Sequence, residues 1–376
     1  MLSKIRFEHY KSLYDTEVDL EPLTVFIGPN GSGKSNICEA LAIWSDFINN
    51  LIRSDDNNVI KIFLNSIKSI SKNSVNIESK FWQQKLDYLL FGVQYSPPQI
   101  KALSELIIEL DYHRQKIAVG DEYKEESLVS FNENITKDQY PQKLLLLGIK
   151  YHNSPLYRAL NIVRIYDFAP QRSSTQNKNS SIINMDRTGQ GIAYSLVDIL
   201  LTNRKSFDEL EERLIQLIPN IARISLPRKG QDFELELIDK YSEHHIPASD
   251  ISDGTLRILA FLVALYQEKT PSIICFEEIE NGIHPWLLNK IMELLKIVST
   301  EGINGKPVQI LITTHSPLVL NYVEPHQVRA VELDDEGKTQ VHALPTDSAR
   351  FQKALEAYDG ELGELWFTNV FGGNPE

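Results

Sequence analysis

Eight residues, Gly28-Pro29-Asn30-Gly31-Ser32-Gly33-Lys34-Ser35, constrain the fold of this chain more than any other feature. They fit G-x-x-x-x-G-K-[ST], and their flanks supply the context in which that pattern has physical meaning. Upstream, Leu23-Thr24-Val25-Phe26-Ile27 reads as a short apolar strand that stops at Gly28. Downstream, Ile37, Leu41, Trp44, Ile48 and Leu51 recur at helical spacing. In such a strand-turn-helix the glycines let backbone N–H groups turn inward onto phosphate oxygens, and the helix N-terminus adds its positive dipole end. Lys34 then reaches the β- and γ-phosphates and the Ser35 hydroxyl ligates Mg²⁺. Asn30, Gly31, Ser32, Gly33, Lys34 and Ser35 are therefore the expected contacts of a bound nucleotide, ATP with Mg²⁺.

The rest of the chain reads as an α/β fold. Ile5 and Phe7, then Val18 and Leu20, alternate with polar neighbours as two half-buried strands. Helices are expected over Ile192 to Leu201, Phe207 to Ile218, Leu256 to Tyr266 (apolar almost all round, hence buried) and Leu287 to Val298. Strands are expected at Phe233-Leu235-Leu237, Ile273 to Phe276 and Val308 to Ile312. Apolar strands alternating with helices argue for a mainly parallel sheet covered on both faces. Residues 45–159 read as a mixed helical and strand insertion, with Lys61, Lys68, Lys72 and Lys80 along a helical stretch and alternating segments near Leu106 to Leu110 and Leu144 to Ile149. The polar stretch Ser173 to Ser181 reads as a loop. The expected division is a head formed by 1–44 plus 160–376, and a lid or partner-binding subdomain over 45–159.

Composition limits the partners. The formal net charge is -13, from 38 basic and 51 acidic side chains, so the chain as a whole repels nucleic acid and a DNA contact requires a local basic patch or a partner protein. Lys61, Lys68 and Lys72 are the place for such a patch, although a solvated helix face is the simpler reading. No apolar run is long enough for a membrane span, and the N-terminus has no signal-peptide pattern. Cys38 and Cys275 are not spaced for a metal and read as core residues of a reduced, cytoplasmic protein.

Three further constellations carry chemistry. Ser272-Ile273-Ile274-Cys275-Phe276-Glu277-Glu278 is an apolar strand ending in two carboxylates. In phosphoryl transfer to water one acid holds the metal and another orients and deprotonates the attacking water, roles that suit Glu277 and Glu278 respectively. A Glu at the metal position is a departure, since Asp is commoner there. Thr313-Thr314-His315-Ser316 closes another strand, and a His at a strand's carboxyl end in an open sheet faces the ligand crevice, where His315 can sense the γ-phosphate. Ser252-Asp253-Gly254-Thr255 precedes the buried helix and makes either an ordinary N-cap or a second anion site serving a nucleotide on another subunit.

Taken together in this order, the motifs resemble the RecF/SMC-like branch of the ABC-type P-loop ATPases. Ile5 to Leu13 looks like that branch's opening strand and Lys-Ser turn, and Ile251 to Arg257 like its signature. Phe276 to Pro285 looks like its Walker B and D-loop segment, and Thr313 to Pro317 like its switch histidine. The ending Leu362-Gly363-Glu364-Leu365-Trp366 is similar to that of stand-alone members. The resemblance covers about 1–45 and 160–376. It implies an ABC-type ATPase head with a mainly parallel core sheet and a smaller antiparallel sheet, working as a homodimer that sandwiches two nucleotides. Ser252, Gly254 and Thr255 would then face the γ-phosphate held by the opposite subunit's Lys34, with Lys11 near the nucleotide and Asn281 at the seam. Ile279 stands where members usually have Pro, and Gln171 and Gln94 are both candidates for the glutamine that senses Mg²⁺. No heptad pattern supports a coiled-coil arm, unlike SMC proteins. Relatives of the overcoming-lysogenization type carry a C-terminal Toprim nuclease. Here Asp334-Asp335-Glu336-Gly337 reads instead as a hairpin turn, and no nuclease activity is expected.

The expected function is a dimeric ATPase switch in DNA repair or phage defence, acting on DNA or on a nuclease or toxin partner, with no membrane role. Two alternatives belong to other classes. A transporter's nucleotide-binding subunit is opposed by the Ser-Asp-Gly-Thr signature and the insertion, and a non-hydrolysing scaffold by the intact pair Glu277 and Glu278.

Overall fold

The computed structural model describes residues 1–53, 59–70, 89–95, 105–111, 116–120, 129–131, 160, 162–168, 185–267, 271–303 and 305–372. The chain divides into two units. One holds Met1–Arg164, Pro271–Cys275 and Val308–Glu376, and the other Ile165–Thr270 and Phe276–Pro307.

In the first unit, β1 (Leu2–Tyr10) and β2 (Leu13–Asp19) pair antiparallel with Ile5 opposite Val18. Their alternation buries Leu2, Ile5, Phe7, Leu13 and Val18 and leaves Lys4, Arg6, Asp15, Glu17 and Asp19 to form ion pairs near the surface. β3 (Leu23–Ile27) is buried at every residue, as a strand covered on both faces must be. It leads through the glycine-rich turn into α1 (Lys34–Arg53), whose buried stripe includes Ile37, Leu41, Trp44 and Ile48.

The segment expected as an insertion supplies α2 (Val59–Ile70), β4 (Leu89–Tyr95), β5 (Glu105–Asp111), β6 (Lys116–Gly120) and β7 (Val129–Phe131). β4 pairs with β1, giving an antiparallel sheet in the order β2-β1-β4-β5-β6-β7. Phe7 stacks on Phe91 and Phe91 on Trp44, with centroids 5.6 and 5.2 Å apart, so this sheet is fastened to α1 by aromatic contact. Lys68 is exposed on α2, whereas Lys72, Lys80, Leu144 to Ile149 and Ser173 to Ser181 lie outside the described residues.

After β8 (Val163–Tyr166) the chain enters the second unit through α3 (Ile192–Thr202) and α4 (Arg204–Leu217). The short strands β9 (Ile221–Ser225), β10 (Arg228–Lys229), β11 (Asp232–Phe233), β12 (Glu236–Asp239) and β13 (His245–Pro247) follow. The alternation at Phe233-Leu235-Leu237 predicts one strand, but the structure divides it. Phe233 pairs back onto Arg228, while Leu237 joins a different sheet between Ile246 and Ile224, so the chain changes partners at Glu234 and Leu235. Helix α5 (Asp253–Tyr266) is buried from Ile258 through Tyr266, as its unbroken apolar run requires. Its Phe261 packs with Tyr166, Phe168 and Phe276 in an aromatic cluster.

The core sheet has the order β17-β16-β3-β15-β14-β8, completed by β14 (Ile273–Glu277), β15 (Gln309–Thr314), β16 (Val328–Leu333) and β17 (Thr339–Ala343). Helix α6 (Pro285–Thr300) follows β14, and α7 (Pro317–Leu320) follows β15. β3 runs parallel to both β15 and β16, with Ile27 level with Thr314 and Ala330. β16 and β17 form a hairpin closed by Asp334, which accepts the backbone N–H groups of Glu336 and Lys338. A buried amide ties the two sheets of this unit together: Gln309 accepts from Leu2 N–H and donates to the carbonyls of Leu2 and Glu21. The chain ends in α8 (Ala349–Ala357) and α9 (Leu362–Phe367), the latter carrying buried Leu365 and Trp366. Among the described residues, no helix is long and apolar enough to cross a membrane.

Candidate functional site

The phosphate-loop residues all lie in the first unit, between β3 and α1. Gly31 and Gly33 have φ values of 82° and 104°, a region that side-chain-bearing residues rarely enter, so the loop closes only with glycine at these places. Gly33 is also sterically required, because a Cβ there would sit 2.0 Å from Thr339 Oγ1. That hydroxyl lies 2.7 Å from Ser12 Oγ and 3.0 Å from the Ser32 carbonyl, so the first residue of β17 braces the loop from outside.

Lys34, 7% exposed, donates to the carbonyls of Gly28 and Pro29 at 2.7 and 2.8 Å, which holds its ammonium inside the bow of the loop. Ser32 Oγ is buried and has no hydrogen-bond partner among the described residues. A buried hydroxyl left so is costly unless an acceptor arrives, and a phosphate oxygen is such an acceptor. The loop therefore fits a nucleotide's phosphates. Asn30 and Ser35 are exposed at its rim, and Ser35 stands in the first turn of α1. The β3–β15 register puts His315, exposed just after β15, level with Gly28. Lys11 adopts φ 51° in the β1–β2 turn and pairs with Glu39 Oε2 at 2.9 Å, while the Tyr10 hydroxyl donates to the other oxygen of that carboxylate at 2.7 Å. The sequence gives no warning of Glu39 or Thr339, since each meets its partners only through tertiary contact.

The second unit carries the acid pair and the signature. Glu277 is the last residue of β14 and is 5% exposed, and its Oε2 lies 2.5 Å from Arg187 Nη2. Glu278 takes φ 47°, a strained backbone for a residue with a side chain, and its carboxylate accepts from the Asn281 amide. A turn from Glu278 to Asn281 (N–H to carbonyl, 3.0 Å) supports that contact, and Ile279, where the resemblance leads one to expect Pro, is fully buried. Ser252 caps α5: its Oγ accepts from Thr255 N–H at 3.2 Å and lies 2.9 Å from Thr255 Oγ1. Gly254 runs close to Gly282, with a Cβ there meeting the Gly282 carbonyl at 3.1 Å. Ser252, Gly254 and Thr255 line an open cavity of about 570 Å³ together with Leu217, His284 and Trp286.

Arg257, the last residue of the signature segment and within α5, donates to the Phe168 carbonyl at 2.5 Å. Burial pushes its guanidinium pKa down, opposed by Asp167 and Glu278. Arg187 had no signal in the sequence: it sits in a short polar turn with no motif around it. Gln94 falls in β4 opposite Lys4, and Gln171 lies outside the described residues.

A parallel-sheet core with this loop, and an acid pair ending a core strand, define the fold of a P-loop ATPase. Residues 1–194 match the family described as "AAA ATPase domain", and residues 114–321 match that described as "AAA domain, putative AbiEii toxin, Type IV TA system". Each match spans more than half of the 376 residues, and the chain belongs to the AAA ATPase domain family.

Among curated proteins it is similar to "Retron Vc95 probable ATPase" of Vibrio cholerae serotype O1 biovar El Tor, 23% identical over 83% of this chain and 69% of that protein. It is also 38% identical over 55 residues to the "DNA replication and repair protein RecF" of Corynebacterium jeikeium (strain K411). That match spans 14% of this chain and only 13% of the relative's length. Among solved structures it resembles an SMC head bound to the C-terminal winged-helix domain of ScpA (TM-score 0.57, 14% identity, 91% of this chain and 98% of that one). It likewise resembles the SMC head with an extended coiled coil bound to the C-terminal domain of ScpA from Pyrococcus furiosus (TM-score 0.53, 14% identity, 95% and 99%). These structural likenesses concern the fold.

Proposed function

We propose that the chain binds and hydrolyses ATP as a homodimeric switch. The observation that carries this reading is the phosphate loop itself, with Lys34 held in its bow and the buried Ser32 hydroxyl awaiting an acceptor. Asn30, Gly31, Ser32, Gly33, Lys34 and Ser35 hold the phosphates, Lys11 lies beside the nucleotide, and His315 senses the γ-phosphate. Ser35 and Glu277 would hold Mg²⁺, which when bound neutralises charge on the β- and γ-phosphate oxygens. Glu278 takes the proton of the attacking water, a role worth about 10²–10⁴-fold in rate. The strained backbone at Glu278 and its Asn281 contact support that role, because they restrict where the carboxylate points. Ser252, Gly254 and Thr255 face the nucleotide held by the partner protomer, so hydrolysis is coupled to assembly.

The likeness to a retron ATPase over most of the chain, and a family description that mentions a toxin, support a place in phage defence over one in repair. In this reading the cytoplasmic ATPase controls a nuclease or toxin partner, with direct DNA contact secondary for a chain of net charge -13. Residues 45–159 act as the lid or partner-binding part and 1–44 plus 160–376 as the head. The test is Glu278→Gln. It is expected to slow turnover by at least about 10²-fold and to accumulate an ATP-bound dimer, read by phosphate release and by light scattering with and without ATP. Unchanged turnover would remove Glu278 from the base role.

A further inference from the structure

Glu277 is a longer acid than the Asp commoner at its position, and each added rotatable bond makes a metal-facing carboxylate harder to hold still. Its partner compensates for this. The guanidinium of Arg187 approaches Glu277 Oε2 at 2.5 Å, with the two side chains only 17% and 3% exposed, a short charge-assisted contact withdrawn from solvent.

The segment that carries Arg187 is itself pinned. Asp186 Oδ1 accepts the backbone N–H groups of Thr188 and Gln190 as well as the Thr188 hydroxyl. Asp186 N–H donates to the Gln190 carbonyl, and Gly189 N–H to the Asp186 carbonyl, which closes the turn. On one side Met185 N–H donates to Ser195 Oγ of α3 at 2.6 Å, and on the other Asp167 N–H donates to the Arg187 carbonyl at 2.8 Å. A guanidinium mounted on so constrained a turn restrains whatever carboxylate it grips.

We propose that Arg187 is a positioning residue for the metal-facing acid: it fixes one oxygen of Glu277, which leaves the other in a set direction for Mg²⁺ and its water shell. The proposal rests on the ATPase reading above. Partners that orient a metal's ligands commonly carry about 10–100-fold in metal affinity when removed. Lysine would restore charge without the planar fork that Arg uses.

The experiment uses the full chain and Mn²⁺ as a spectroscopic probe of the Mg²⁺ site, titrated in the presence of a non-hydrolysable ATP analogue and read by electron paramagnetic resonance. Arg187→Ala is expected to weaken Mn²⁺ binding by at least about tenfold, while metal-free binding of the analogue changes less than about twofold. Arg187→Lys should fall between the two. A thermal-unfolding cycle supplies a second readout. Arg187→Ala removes a counter-charge from a buried acid, so adding Glu277→Gln should restore part of the lost melting temperature. If Arg187→Ala does not fold, Arg187→Lys carries the test with an expected loss of at least about threefold. Wild-type Mn²⁺ affinity in whichever variant folds overturns the proposal. Failure of the wild-type protein to bind the analogue at all would instead overturn the ATPase reading.

Discussion

Replacing Gly33 by Ala tests the phosphate loop at the point where local geometry and tertiary packing meet. Two independent penalties follow from the structure. The backbone at φ 104° is strained for alanine, at about 1–3 kcal/mol. The new Cβ would lie 2.0 Å from Thr339 Oγ1 and 2.9 Å from its Cγ2, and relieving such overlap costs about 1–3 kcal/mol more. The sum, about 2–6 kcal/mol, predicts a fall in melting temperature on the order of 10 °C, measurable by circular dichroism or calorimetry. Thr339→Ala alone should cost about 1 kcal/mol through its contacts to Ser12 and the Ser32 carbonyl. In the double variant the overlap is relieved, and the φ penalty and the lost Thr339 contacts remain, so it should be more stable than the two single losses predict by about 1–3 kcal/mol. Strict additivity would refute the brace between β17 and the loop. A Gly33→Ala protein melting within about 2 °C of wild type would refute both penalties.

Two other outcomes test the fold around the site. Arg329 is buried, with its pKa lowered by desolvation, and donates to the carbonyls of Asp19, His326 and Val328. Arg329→Ala should therefore cost about 2–4 kcal/mol in urea unfolding, against a negligible cost for an exposed arginine such as Arg204. Asp334 closes the β16–β17 hairpin, and the backbone N–H of Lys338, then the Gln340 amide and the Glu336 N–H, hold its carboxyl below the usual carboxylate range. Because the folded pKa is depressed, this contribution is fully present above the ordinary aspartate pKa and is lost as pH falls through the lowered folded value. Asp334→Asn should flatten that acid limb of a stability-versus-pH curve; an unchanged limb would show that the turn does not depend on the charge.

Much of the molecule is local and was therefore legible in residue order. The phosphate loop needs only a strand, glycines at two φ-positive places and a helix start, all contiguous, so residues 23–53 specify it themselves. The unbroken apolar run of α5 and the two carboxylates ending β14 are equally local. What chain order could not reveal is who holds these groups. Thr339 reaches the loop from more than three hundred residues away, and Arg187 reaches Glu277 across ninety. The single alternation at Phe233 to Leu237 likewise contains no record of a change of partners, because side-chain periodicity reports which face is buried and not which strand lies alongside. Hydrophobic period and turn chemistry, being properties of neighbours along the chain, determined the class of protein. The partners that aim its acids and brace its loop depend on contacts that exist only once distant segments have packed together.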